Sequence, residues 1–159
     1  MARIVLLSCT KSKLDKPSPA KDLYSPSPMF QKTSAYGKSL NPDKTFILSA
    51  KYHLVPLDKK LSPYDMTLKD MNKDEKEKWS QTVLSQMKQN GINPQKDTFI
   101  FLAGSAYIKP LEKHIPESNI ENPMKGKRMG ERLSWLNKQI KTLKEVYFKL
   151  KKLIYEILK

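Results

Sequence analysis

Three short runs of apolar residues stand out from an otherwise polar chain: Arg3–Ser8 (RIVLLS), Thr45–Ala50 (TFILSA) and Asp97–Ala103 (DTFIFLA). Each is unbroken rather than alternating, and each carries β-branched or aromatic members. Such runs read as strands covered on both faces. Between them the spacing changes to three and four. Trp79, Val83 and Met87 share one face of a helical region over Leu68–Asn90, interrupted or capped near Asn72. Asn90-Gly91 is its stop signal. Ser27 supplies an N-cap and Pro28 a first-turn proline for an earlier helix, although Phe30, Ala35 and Leu40 are too sparse to define its face. A short helix is expected over Ser105–His114 despite Pro110.

The final helix is the clearest. From Gly130 onwards Leu133, Leu136, Ile140, Leu143, Tyr147, Leu150, Ile154 and Ile157 recur in steps of three and four, close to a heptad pattern. It is either a core helix with a frayed end or a helix whose distal part pairs with a second copy in a homodimer. The fold class that follows is α/β: a single compact domain with a short, mostly parallel sheet flanked by helices, and a long C-terminal helix. The α/β domain is expected over residues 1–137, and residues 138–159 form the distal part of the basic amphipathic helix. The Pro- and Ser-rich stretch Asp15–Pro28 reads as a lid or ligand loop.

A length of 159 residues suits one hydrophobic core. The single cysteine, Cys9, allows no intrachain disulfide, and no Cys/His cluster suggests zinc. No run reaches membrane-spanning length and the start does not read as a signal peptide, so a cytoplasmic location without a membrane partner is expected. Charge alters the picture more. The net charge is +14, and it is uneven. Residues 1–60 carry 11 basic and 4 acidic side chains, residues 61–123 carry 8 and 9, and residues 124–159 carry 11 and 3. A uniform lysine-rich background would not leave the middle neutral, so the two ends are expected to share a basic face with nucleic acid as partner. Only three of the cations are arginine, which weighs toward the alternative of a lysine-rich background that only keeps the protein soluble, since arginine makes the bidentate contacts that read bases and lysine mostly supplies phosphate attraction.

Candidate chemistry lies where the strands end, the usual ligand-binding edge of open α/β sheets. Ser8, Lys11 and Lys13 follow the first strand and can hold phosphate. This is not a Walker A loop, since GxxxxGK[ST] is absent. Cys9 reads as a small buried residue rather than a nucleophile. Lys51, after the second strand, is the candidate for a reactive amine, as base or Schiff-base nucleophile; binding phosphate is the equal alternative. Asp22 and Asp65 are the candidate carboxylates, to act as base or to stabilise positive charge on a sugar. Gly104, after the third strand, allows close backbone approach beside a helix start. Lys127, Arg128 and Arg132 form a basic entry to the last helix. Tyr24, Tyr52, Tyr64 and Tyr107 are candidates to stack on or hydrogen-bond a base. No cofactor pattern is present, and no carboxylate pair stands at metal spacing, so neither a cofactor nor a metal is expected.

The segments LLSCTKSK, AKDLYSPSPMF, ILSAKYHLVPLDKKLSPYDMTL and PMKGKRMGERLSWLN together resemble a small family of uncharacterised bacterial and phage proteins, of the DUF6884 type. Its members carry an SCTKSK start, a SAKYGL strand end and a G-x-R-x-x-WL final helix. The resemblance spans Ile4 to Asn137. Here His53 stands where that family has glycine, so the turn is expected to be made differently. The stretch from Tyr52 through Tyr64 is more distantly similar to the peroxide-stress family YaaA. That resemblance implies DNA binding, protection from oxidative damage and kinship with DNA glycosylases. The early Ser-Cys, Lys and Tyr-Ser residues are vaguely similar to the archaeosine synthase core, which acts on a tRNA base.

The resulting expectation is a nucleic-acid-binding protein with base-directed chemistry, N-glycosidic cleavage or exchange. The alternatives are an enzyme acting on free nucleotides or nucleosides, favoured by a narrow closed cleft, and a non-catalytic nucleic-acid-binding or phage accessory protein.

Overall fold

The computed structural model describes residues 1–159. Five strands form the main sheet: β1 (Arg3–Ser8), β3 (Lys44–Ser49), β4 (His53–Pro56), β6 (Thr98–Leu102) and β7 (Ile120–Glu121), in the order β4-β3-β1-β6-β7. The β1/β3, β1/β6 and β6/β7 pairs are parallel; β4 returns antiparallel to β3. A separate two-stranded pairing joins β2 (Ser18–Pro19) to β5 (Lys60–Leu61). The domain is therefore α/β with a mixed, mostly parallel sheet, as the apolar runs predict. Ile4–Leu7 are at most 1% exposed, which explains why β1 shows no polar alternation.

The helices are α1 (Ala20–Leu23), α2 (Pro28–Ser39), α3 (Lys73–Gln89), α4 (Ser105–Glu112) and α5 (Met129–Leu158). Ser27 caps α2 by accepting from the Phe30 amide, and Asn72 caps α3 by accepting from the Glu75 amide. Asn90 and Gly91, the latter at φ +72°, end α3. The buried face of α2 is Phe30, Thr33 and Gly37, whereas Ala35 is exposed. Glycine and threonine hide this face from a hydrophobicity pattern. A Cβ on Gly37 would stand 2.9 Å from Val5 Cγ1, so this glycine lets α2 lie directly on β1.

α2 packs with α5, and α3 with α4. The chain leaves β1 toward β3 and later returns across it to β6. Right-handed crossovers then put the two helix pairs on opposite faces of the sheet.

One expectation is corrected. Asp15–Pro28 is no lid: β2 pairs with β5, and Ala20, Leu23 and Tyr24 are wholly buried in the core. His53 adopts φ +67°, the left-handed conformation that glycine takes without a steric penalty.

α5 is a continuous helix of 30 residues. Its first turns pack on the domain through buried Leu136 and an edge-on contact of Trp135 with Tyr36. Every residue from Lys141 onwards is exposed.

Candidate nucleic-acid site at the strand ends

The sheet reverses its winding direction at β1, so the carboxyl ends of β1 and β6 mark a topological switch point, where open α/β sheets bind ligands. Leu7 pairs with Leu102, so Cys9 and Gly104 lie side by side just beyond the strands. The Cys9 amide donates to the Leu48 carbonyl at 3.0 Å and fixes the chain as it leaves β1.

The loops that follow bring several predicted residues together. Ser49, the last residue of β3, is wholly buried, and its Oγ accepts from the amides of Tyr52 (3.0 Å) and Lys51 (3.3 Å). With its lone pairs used, its hydroxyl donates to Tyr64 Oη at 2.7 Å, and Tyr64 in turn donates to Tyr24 Oη at 2.7 Å. Trp79 Nε1 donates to the Ser49 carbonyl at 2.9 Å and ties α3 to the same point. Burial is the main cause that raises the Tyr24 phenol, to about 12, and that pushes Tyr64 and Tyr107 up. All three phenols are therefore neutral donors at physiological pH.

Lys13 crosses this chain. Its Nζ lies 4.4 Å from the Tyr64 ring centroid and 5.9 Å from that of Tyr24, and donates to the Lys11 carbonyl at 3.3 Å. Its pKa is lowered, first by partial burial; the nearby Cys9 and Asp65 act in the opposite direction. Cys9 Sγ donates to Tyr107 Oη at 3.2 Å, and the Tyr107 ring stands edge-on to Trp79. Cys9 is thus a buried packing residue with one polar partner.

On the β6 side, Arg132 Nε donates to the Lys127 carbonyl at 2.9 Å. A Cβ on Gly104 would stand 3.5 Å from Arg132 Nη1, so the guanidinium lies beside the amino end of α4. Two candidates from distant segments meet there, in an arrangement suited to an anion.

Other candidates are not gathered in. Lys51 is exposed in the turn between β3 and β4, with Nζ 5.4 Å from the Tyr52 ring centroid. Asp22 and Asp65 are exposed, and no hydrogen bond or ion pair joins either of them to Lys51. Lys11 and Arg128 are exposed; Ser8 Oγ donates to the Cys9 carbonyl at 3.0 Å. Tyr24 presents its hydroxyl only, because its ring is wholly buried. Tyr52 and Tyr64 are half-buried and meet edge-on at 5.4 Å. Sequence reasoning missed the hub role of Ser49 and the Trp79 contact. The signal for Ser49 was a hydroxyl at the end of an apolar strand, where a buried polar group must find partners.

Two surface depressions lie apart from the strand ends. One, of about 490 Å³, is lined by Asp74, Glu77, Lys78, Gln81 and Thr82. The other, of about 320 Å³, lies between Arg3, Tyr36, Leu40 and Pro123 among others. No group of three His, Cys, Asp or Glu side chains is placed to hold a metal ion. No helix is long and apolar enough to cross a membrane.

Fold and site define a small α/β protein with a lysine- and tyrosine-lined edge at its switch point. The chain belongs to a family of unknown function, DUF6884, whose model matches residues 4–138. No curated protein and no solved structure matches it.

Proposed function

We propose that this is a nucleic-acid-binding protein of the cytoplasm that carries out base-directed chemistry at the glycosidic bond, with Lys13 rather than Lys51 as the reacting amine. The observation that carries this reading is the placement of the Lys13 Nζ over the Tyr64 ring at the switch point, where partial burial lowers its pKa from the usual lysine value. In the step envisaged, the neutral Nζ attacks the sugar C1′ and the C1′–N bond breaks. The base leaves with one of the two Nζ protons, the aminal so formed opens at C1′–O4′ to the imine as the second Nζ proton passes to O4′, and water later hydrolyses the imine to the free amine and the sugar aldehyde. Asp65 stabilises positive charge beside Nζ; Arg132 and the amino end of α4 hold a phosphate. Tyr52 offers a partly exposed ring to a base taken out of its stack. The net charge of +14 supports a polymer over a free nucleotide. The distant YaaA resemblance, with its DNA-glycosylase kinship, points the same way.

A second reading is favoured by the exposure of Lys51, Asp22 and Asp65 without contacts among them: binding without catalysis. One experiment separates the two. Binding to single-stranded DNA, duplex DNA and RNA is measured at two salt concentrations, followed by base release and borohydride trapping on the tightest ligand. Binding that weakens steeply with salt, with a trapped adduct lost in Lys13→Ala and kept in Lys51→Ala, is the expected result. Binding without base release or adduct supports the second reading. No binding at low salt removes both.

A further inference from the structure

The distal half of α5 has no partner in its own chain. From Leu143 to Ile157 the seam residues Leu143, Tyr147, Leu150, Ile154 and Ile157 are 39–71% exposed. Single exposed apolar residues are ordinary; a continuous stripe on one helix is not. The stripe has internal order. With Ile140, Tyr147 and Ile154 at the a positions of a heptad, Leu143, Leu150 and Ile157 fall at d, and Val146 and Leu153 widen the seam at g.

We infer that this half of α5 pairs with the same helix of a second copy as a parallel, in-register two-stranded coiled coil. This inference does not depend on the function proposed above. The a/d content selects the geometry. Ile140 and Ile154 at a with Leu143 and Leu150 at d favour two parallel strands, with Tyr147 at the central a and Ile157 at the last d as departures from that pattern. Flanking charge selects it again. In the parallel pair Val146 meets the partner's Lys151, Gln139 meets the partner's Lys144, and Leu153 meets the partner's Leu158. Every lysine then has a neutral neighbour along which its methylenes can lie. The antiparallel pair would instead set Lys144 against the partner's Lys151 twice, a like-charge contact on one flank. The three-four spacing of the seam fits a second helix, while Phe148 and Tyr155, 66% and 65% exposed, stand outside the seam and make a lipid surface the competing occupant that the test must separate. The projecting 141–158 stretch is only roughly 27 Å long at 1.5 Å per residue, so pairing is reversible and depends on concentration. The family model ends at residue 138, where the helix leaves the domain, so the pairing segment lies outside the matched stretch.

The test is sedimentation of the full chain over a range of concentrations, beside Leu143→Lys/Leu150→Lys and Ile157→Cys variants. The expected result is a dimer whose fraction rises with concentration. The lysine pair should give a monomer whose melting profile matches that of wild type at dilutions where wild type is also monomeric, because both side chains lie outside the core. Ile157→Cys should form an interchain disulfide under mild oxidation. A wild-type monomer at high micromolar concentration overturns the inference, as does a dimer that survives both lysines. A dimer in which Ile157→Cys does not crosslink overturns the parallel orientation. A monomer that floats with anionic vesicles assigns the stripe to a lipid surface and also overturns it.

Discussion

At the scale of single residues, His53 tests how much of the turn after β3 depends on glycine. A non-glycine residue at φ +67° bears a clash between its Cβ and its own backbone, worth about 1–2 kcal/mol. His53→Gly is therefore expected to stabilise the protein by about 1 kcal/mol, read as a shifted denaturation midpoint with an unchanged slope. A destabilised variant would mean that the imidazole makes compensating contacts. The resemblance drew the eye to this position, but the left-handed backbone itself has no local signal in the sequence, and the chain accepts its strain. The two lysines illustrate the opposite limit. Lys13 and Lys51 both follow a strand and both stand in polar loops. Only the folding of residues 13–24 and 62–68 over β1 and β3 decides which one becomes partly buried, and that packing has no local signature.

At the scale of elements, the helix pairs hold by different means. α2 lies on β1 through Gly37. Alanine there would favour the helix by about 1 kcal/mol. Its Cβ would stand 2.9 Å from Val5 and 3.2 Å from Leu102 Cδ1, and the stiff valine cannot easily yield. Overpacking of that kind costs about 1–3 kcal/mol, so Gly37→Ala should lower the melting temperature. On the other face α3 and α4 are clamped by Glu77, which pairs with Lys113 and with His114 at 3.3 Å. Chiefly through its hydrogen bond to Lys113, the Glu77 carboxyl falls from 4.5 to about 2. A depressed carboxylate contributes stability above its unfolded value, and that contribution fades as pH drops toward the folded one. Glu77→Gln should thus flatten the acid limb of the stability profile between about pH 4.5 and pH 2, with little added change below it. Unfolding curves across that window decide the matter. The long apolar strands and the capped helices were legible because each carries its signal in a few consecutive residues. β4 and β7 were not: β4 has four residues and ends in Pro56, β7 has only two, and both exist because a neighbouring strand offers a ladder.

At the scale of the whole molecule, the strand-end site and the exposed apolar seam are joined by one continuous helix. α5 carries Arg132 at the switch point in its first turns and the apolar seam in its last. A parallel pair would leave two strand-end sites at the same end of the assembly. Two weak contacts with one long anion would then act at high effective concentration. The Leu143→Lys/Leu150→Lys variant should accordingly bind a long oligonucleotide more weakly than wild type, yet bind a short one about equally.

The modest edges of the sheet have a consequence for the life of the chain in a crowded cell. An outermost strand of two residues on one side, and one of four closed by a proline on the other, offer few free amides on which a stranger could build. Newly made copies can then accumulate to the level at which helices find each other without first zipping together through their backbones. Under the proposed pairing, the chain leaves open a self-association that dilution undoes.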